Sequence, residues 1–260
     1  MDIPCIQTEN LMVGYTQKKQ QKILAAKLHL QAKKGQLIAL VGENGVGKST
    51  LLRTLCQLQK PLEGKVNIQG KNAAEYPLAE LAQQLSVVLT EKLPPSNLTV
   101  WELVALGRQP YTNWIGQLTE QDQQAINHAL IATDLIGIQQ QKHYTLSDGQ
   151  LQKTLIARAL AQETPLIVLD EPTTHLDLVH KVKLLKLLKN LCLHQGKCIL
   201  FSTHDIEMAL AICDELIVMT PEQVVQGTPE KLIETGLIAD LFTDDAIQFD
   251  PASKKFNLTI

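Results

Sequence analysis

Five short, mainly apolar runs stand out along the chain: residues 37–41, 85–89, 166–169, 198–202 and 215–219. Runs of this length without polar alternation predict buried core strands, and the fully apolar 166–169 reads as a parallel strand buried on both faces. Residues 3–34 differ. There apolar and polar positions alternate loosely, which predicts short antiparallel strands with a turn in the polar stretch 16–22. Another short strand is expected at 65–70. Apolar positions at helical spacing predict helices from Lys48 to about Leu58, over 100–106 up to Gly107 and Pro110, and over 178–193. Thr119 with Asp122 reads as a helix start, with Ile126, Ala129, Leu130 and Thr133 on one face. A further helix carries Leu151, Leu155, Ile156, Ala159 and Leu160. Residues 221–227 read as a turn and 229–242 as a helix pair, while 249–260 give no usable pattern. Strands alternating with helices imply an α/β fold, and the helical texture of 94–164 implies an inserted helical lobe.

The junction after the first apolar run carries the chemistry. Gly42-Glu43-Asn44-Gly45-Val46-Gly47-Lys48-Ser49-Thr50 follows a strand and opens a helix, the setting of a phosphate-binding P-loop. Glycines allow backbone N–H groups to approach phosphate, and the helix N-terminus adds its positive dipole end. Lys48 is placed to reach the β- and γ-phosphates and Ser49 to ligate Mg²⁺. After the apolar run 166–169 come Asp170 and Glu171. Adjacent carboxylates at a strand's carboxyl end are costly to desolvate without a cation or donors. Asp170 can hold Mg²⁺ through its water shell, and Glu171 can polarise a water aimed at the γ-phosphate. His204, after the run 198–202, can donate to that phosphate or water.

Two features stay open at this level. Tyr15 is either a base-stacking aromatic or an ordinary strand tyrosine. Leu146-Ser147-Asp148-Gly149-Gln150 feeds a helix N-terminus and is either a plain cap or a second anion site serving nucleotide held by another copy.

Composition changes the picture little. The 260 residues carry a formal net charge of -3, which gives no electrostatic case for nucleic acid. Five cysteines without a CxxC pair suggest reduced thiols. The N-terminal residues do not read as a signal peptide, and no run approaches the ~18 apolar residues of a membrane span. The remaining histidines show no metal-ligand spacing. Lys181, Lys183, Lys186 and Lys189 read as a solvated helix face.

Together, Gly14-Tyr15, Gly42 to Ser49, Leu146 to Gln150, Leu169-Asp170-Glu171-Pro172 and Thr203-His204-Asp205 resemble ABC-transporter ATP-binding subunits across nearly the whole chain. The resemblance implies a P-loop NTPase core with an N-terminal antiparallel β-subdomain (1–90 and 165–227), a helical subdomain (91–164) and a C-terminal extension (228–260). It implies two subunits, as a homodimer or with a similar chain, sandwiching two ATP molecules. Ser147 and Gly149 of one, with Gln150 beside them, would then face the phosphate bound by Lys48 of the other. Tyr15 becomes an adenine-stacking residue, Glu171 the general base, His204 the switch histidine and Asp177 the D-loop aspartate. Residues 98–111 and 226–229 resemble importers of ferric siderophores, haem and vitamin B12. That implies permease partners, indirectly a substrate-binding protein, and a peripheral place on the cytoplasmic face of the inner membrane. Two positions depart from the family pattern: Asp148 replaces a signature glycine and is expected to point outward, and Glu91, with Thr90, stands where a Q-loop glutamine and Mg²⁺ ligand is expected. A soluble ABC protein or a non-hydrolysing regulator is the alternative.

Overall fold

The computed structural model describes residues 3–17, 20–89, 96–174, 176–241 and 247–258. Strand β1 (Ile6–Gln17) pairs antiparallel with β2 (Gln20–Leu28) out to Gln17↔Gln20, and at its start with β3 (Gln31–Ala32). Strand β4 (Leu37–Val41) leads into helix α1 (Lys48–Leu55). The chain then returns to the first layer as β5 (Glu63–Ile68) and β6 (Lys71–Asn72), giving the antiparallel order β2-β1-β5-β6. Helix α2 (Leu78–Gln84) precedes β7 (Leu85–Val88).

Helices α3 (Val100–Ala105), α4 (Glu120–Ala132) and α5 (Asp148–Ala161) form the lobe, and β8 (Leu166–Leu169) leaves it. Helix α6 (Leu178–Gln195), β9 (Cys198–Ser202), α7 (Ile206–Ile212), β10 (Glu215–Met219), β11 (Val224–Gly227) and α8 (Pro229–Glu234) complete the core. A hairpin of β12 (Ile247–Asp250) and β13 (Lys255–Leu258) follows.

The five apolar runs become the parallel strands of one sheet, in the order β11-β10-β4-β9-β8-β7, with only β11 antiparallel. Side chains of β4 divide by period two. Leu37, Ala39 and Val41 join Leu184, Leu188 and Leu210 of α6 and α7, whereas Ile38 and Leu40 join Leu11, Val13, Leu51 and Leu52. The sheet therefore lies between a helical layer and the antiparallel layer with α1, which places the carboxyl ends of β4, β8 and β9 side by side.

The lobe has its own core of Val100, Val104, Ile126, Leu130, Ala157 and Ala161. Helix α5 belongs to both, since Leu155, Ile156 and Ala159 face the main core. Thr99 with Glu102 and Thr119 with Asp122 close capping boxes that start α3 and α4. Buried Arg108 ties the lobe together. It donates to Asp122 Oδ1 at 2.8 Å, to the Ala161 carbonyl at 2.7 Å and to Glu163 at 2.8 Å.

Four expectations need correction. Residues 221–227 are not all turn, because 224–227 hydrogen-bond along the exposed edge of β10. Helix α1 stops at Leu55, and Gln57 takes a left-handed φ of 59°. Gly107 does not close α3; the chain continues as a 3₁₀ turn to Tyr111. A Cβ on Gly107 would lie 2.3 Å from the Arg158 carbonyl oxygen, so that glycine serves close packing on α5. Residues 249–258, patternless in sequence, lie in or beside the terminal hairpin, whose Phe249 and Phe256 pack on the main core with ring centroids 4.9 Å apart.

Candidate nucleotide-binding and hydrolysis site

The loop between β4 and α1 is shaped by backbone requirements. Gly42 has φ 153° and Gly47 φ 120°; a Cβ on Gly42 would lie 2.1 Å from the Met219 carbonyl oxygen. Only glycine serves at such a point. Glu43, Asn44 and Gly45 are exposed, and Val46 packs on the core side of the loop. Lys48, 5% exposed, opens α1 and turns its ammonium back to donate to the carbonyls of Gly42 (2.8 Å) and Glu43 (2.9 Å). Burial lowers its pKa, opposed by the charges of Glu171 and Asp170. Ser49 is exposed one residue on, and the Thr50 carbonyl is bonded within α1 by Thr54 Oγ1.

Asp170 and Glu171 sit at the carboxyl end of β8, where Asp170 N–H still donates to the Val88 carbonyl at 2.7 Å. Ser202, the last residue of β9, joins them: its hydroxyl donates to Asp170 Oδ1 (2.6 Å) and accepts the Glu171 N–H (2.8 Å). Glu171 has φ 48°, a left-handed conformation that costs a non-glycine residue of order 1–3 kcal/mol and is kept where neighbours enforce it. Thr174 Oγ1 donates to Glu171 Oε2 at 3.0 Å, and His204 Nε2 shares a short hydrogen bond with Glu171 Oε1. The expected base and the expected switch histidine are thus in direct contact. Gly42, Glu43, Asn44 and His204 line one cleft of 250 Å³, together with Leu241.

Ser147 caps α5 by accepting the Gln150 N–H at 3.3 Å, and the Gln150 side chain accepts the Ser147 N–H at 3.0 Å. Ser147, Asp148, Gly149 and Gln150 line a different cleft, of 630 Å³, with Lys153, Asp177 and His180. Asp177 caps α6. The His180 N–H and imidazole hold its carboxyl below the ordinary range. Asp148, expected to point away, borders this cleft while occupying the first turn of α5, where a negative charge suits the helix dipole. Tyr15 is exposed on β1 with the Lys22 ammonium 5.8 Å from its ring centroid. Glu91 and Thr90 lie outside the described residues.

A loop with no room for a Cβ at Gly42 or Gly47, a desolvated lysine and a carboxylate–histidine pair at the ends of neighbouring strands have the chemistry to hold and hydrolyse a phosphoanhydride. Residues 25–174 match the family model described as ABC transporter. The chain belongs to the ABC transporter family. It is 37% identical over 244 residues to a Bacillus subtilis protein named as the ATP-binding protein of a siderophore transport system, covering 94% of this chain and 87% of that one. A solved ABC transporter assigned to the metal-chelate type, in an inward-facing conformation, superposes with a TM-score of 0.79 at 29% identity, covering 92% of this chain and 89% of that one. The dimeric post-hydrolysis form of an ATP-binding cassette with ADP and phosphate superposes with a TM-score of 0.76 at 28% identity, covering 86% and 98%.

As an ABC cassette the chain is an ATPase. Its residues fit Mg²⁺ by their donor chemistry: a hydroxyl at Ser49 and a buried carboxylate at Asp170 are what an ion shared with phosphates and water requires. Among the described residues no cluster of three or more His, Cys, Asp and Glu forms a metal cage. All five cysteines are free and buried. Sequence reasoning missed Ser202, whose only signal is a serine ending an apolar strand, and Leu241, which had none. The lysine stripe is only partly solvated, since Lys181 pairs with Asp205 at 3.4 Å and Lys189 with Asp214 at 2.6 Å.

Proposed function

We propose that this chain is the ATP-hydrolysing subunit of an importer for metal chelates of the siderophore kind, acting as a homodimer on the cytoplasmic side of a membrane permease. The observation that carries the hydrolytic part is the Glu171–His204 pair, held with Asp170 by Ser202 beside the Lys48 cradle. Support for the cargo class comes from the siderophore relative and the metal-chelate transporter. Among the described residues no helix is long and apolar enough to cross a membrane.

In this reading the loop from Gly42 to Thr50 receives the phosphates through its N–H groups, Lys48 neutralises them and Tyr15 stacks the adenine. Ser49 and Asp170, with Glu91, hold Mg²⁺, which when bound offsets the negative charge of the phosphates. Glu171 accepts the proton of the attacking water, while His204 holds the Glu171 carboxylate and donates toward the γ-phosphate. Ser147, Gly149, Gln150 and Asp177 line a separate cleft from Gly42 and His204 in this chain. That separation supports their acting on nucleotide held by a second copy. Segments 1–90 and 165–227 act as the catalytic core, 91–164 as the permease-facing lobe and 228–260 as an extension. A substrate-binding protein delivers the chelate to the permease.

Two measurements test this. Glu171→Gln lowers ATP turnover by about 10²–10⁴-fold, the usual worth of a positioned base; unchanged turnover removes Glu171 from that role. Capture on tagged chain from detergent-solubilised membranes returns an integral permease. Recovery of ribosomes or DNA instead contradicts import.

A further inference from the structure

The stretch that delivers the signature loop is laced to the stretch that follows residues 90–95. Trp101 N–H donates to the Gln139 carbonyl (2.9 Å), Val100 N–H to Gln141 (3.0 Å) and His143 N–H to Leu98 (3.0 Å). Lys142 Nζ adds a bond to the Asn97 carbonyl at 2.6 Å. The last rung is a side-chain pair: Ser96 Oγ and His143 Nε2 share a hydrogen bond of 2.7 Å. His143 is 6% exposed, although nothing in the nucleotide chemistry above uses it. It begins a 3₁₀ turn, His143–Thr145, which closes on itself through Leu146 N–H to the His143 carbonyl at 3.3 Å. Ser147 follows at once as the cap of α5. A short turn hydrogen-bonded at both ends is stiff, so moving the imidazole moves Ser147.

We propose that His143 is a positioning residue for the signature loop: clasped by Ser96, it ties residues 96–101 to the turn that leads into Ser147. The backbone rungs hold any sequence together. The Ser96–His143 bond is the specific one, and along the chain it is the rung closest in sequence to both Ser147 and residues 90–95. Displacement of residues 96–101 is thereby passed to Ser147 and Gly149 as one body. The inference rests on the reading that these two residues act on nucleotide held by a second copy.

The test uses full-length chain in a Glu171→Gln background, with His143→Ala, Ser96→Ala or His143→Gln added. Two quantities are read: affinity for a fluorescent ATP analogue at concentrations where the chain is monomeric, and the dissociation constant of the ATP-driven dimer by sedimentation. Nucleotide affinity stays within about twofold, because Lys48 and its loop are untouched. Loss of one hydrogen bond in His143→Ala and Ser96→Ala raises the dimer dissociation constant about tenfold. In His143→Gln the amide nitrogen takes the place of Nε2 and restores dimerisation to within about threefold of the parent. Ser96→Ala is the arm that stands if His143→Ala does not fold, since Ser96 is only half-buried. Parental dimerisation in Ser96→Ala, or reduced analogue affinity matching the lost dimerisation, overturns the proposal. A Glu171→Gln parent that binds ATP yet stays monomeric removes the two-copy reading itself, a different result from loss in the second-site variants alone.

Discussion

At the scale of single residues, the proposed catalysis depends on groups that hold other groups. Glu171 pays conformational strain to stand in the left-handed region, and Ser202, Thr174 and His204 keep it there. Ser202 is the hinge of this set because one hydroxyl serves both carboxylate residues. Ser202→Ala leaves the buried Asp170 oxygen and the Glu171 N–H without that partner, at a cost of about 1–3 kcal/mol. Steady-state kinetics should show turnover falling at least tenfold with little change in KM for ATP, since Lys48 and its loop remain. An equal loss through KM alone would place Ser202 in binding rather than in alignment. The glycines with Lys48, and separately the Asp170-Glu171 pair, were legible from sequence because phosphate chemistry demands each of those groupings directly after a buried strand. Ser202 was not, because its role arises from the adjacency of β8 and β9, which no local pattern encodes.

Elements show the same division. Buried strands and capped helices announce themselves: the apolar runs became parallel strands, and Thr119 with Asp122 started α4 where the pattern placed it. Strand β11 and the terminal hairpin did not: β11 is short and half-buried, and the hairpin's Phe249 and Phe256 pack on a core assembled from distant elements. Gly107 misled for a related reason, its lack of a Cβ serving a helix contact rather than a helix end. Within the lobe, Arg108 and Asp122 form a buried pair that joins the 3₁₀ turn to α4. Removing one member leaves a buried charge, so Arg108→Met should destabilise the chain by about 3–5 kcal/mol in denaturant unfolding. Burial pushes the Asp122 carboxyl upward, yet donors on Thr119 and Arg108 hold it below the usual range. A depressed carboxyl contributes stability that is complete above the ordinary carboxylate range and lost as pH falls through its folded-state value. Asp122→Asn should therefore flatten the acid limb of the stability profile while lowering stability at neutral pH; an unchanged acid limb would show that Asp122 does not govern it.

For the whole molecule, the decisive feature is that the residues proposed to bind phosphate are spread over two clefts, one at Gly42 to Asn44 with His204 and one at Ser147 to Gln150 with Asp177. In the proposed reading a second copy brings the clefts together; a solved cassette of the same fold is dimeric. Ser147→Arg should then leave ATP binding by the isolated chain intact, measured by analogue fluorescence, while abolishing hydrolysis. Loss of binding instead would place Ser147 at its own chain's nucleotide. The most direct measurement is the molar mass of the Glu171→Gln variant with and without ATP. The account predicts a shift from the 28.8 kDa single chain to twice that mass when ATP is added. A single-chain mass with ATP fully bound contradicts it.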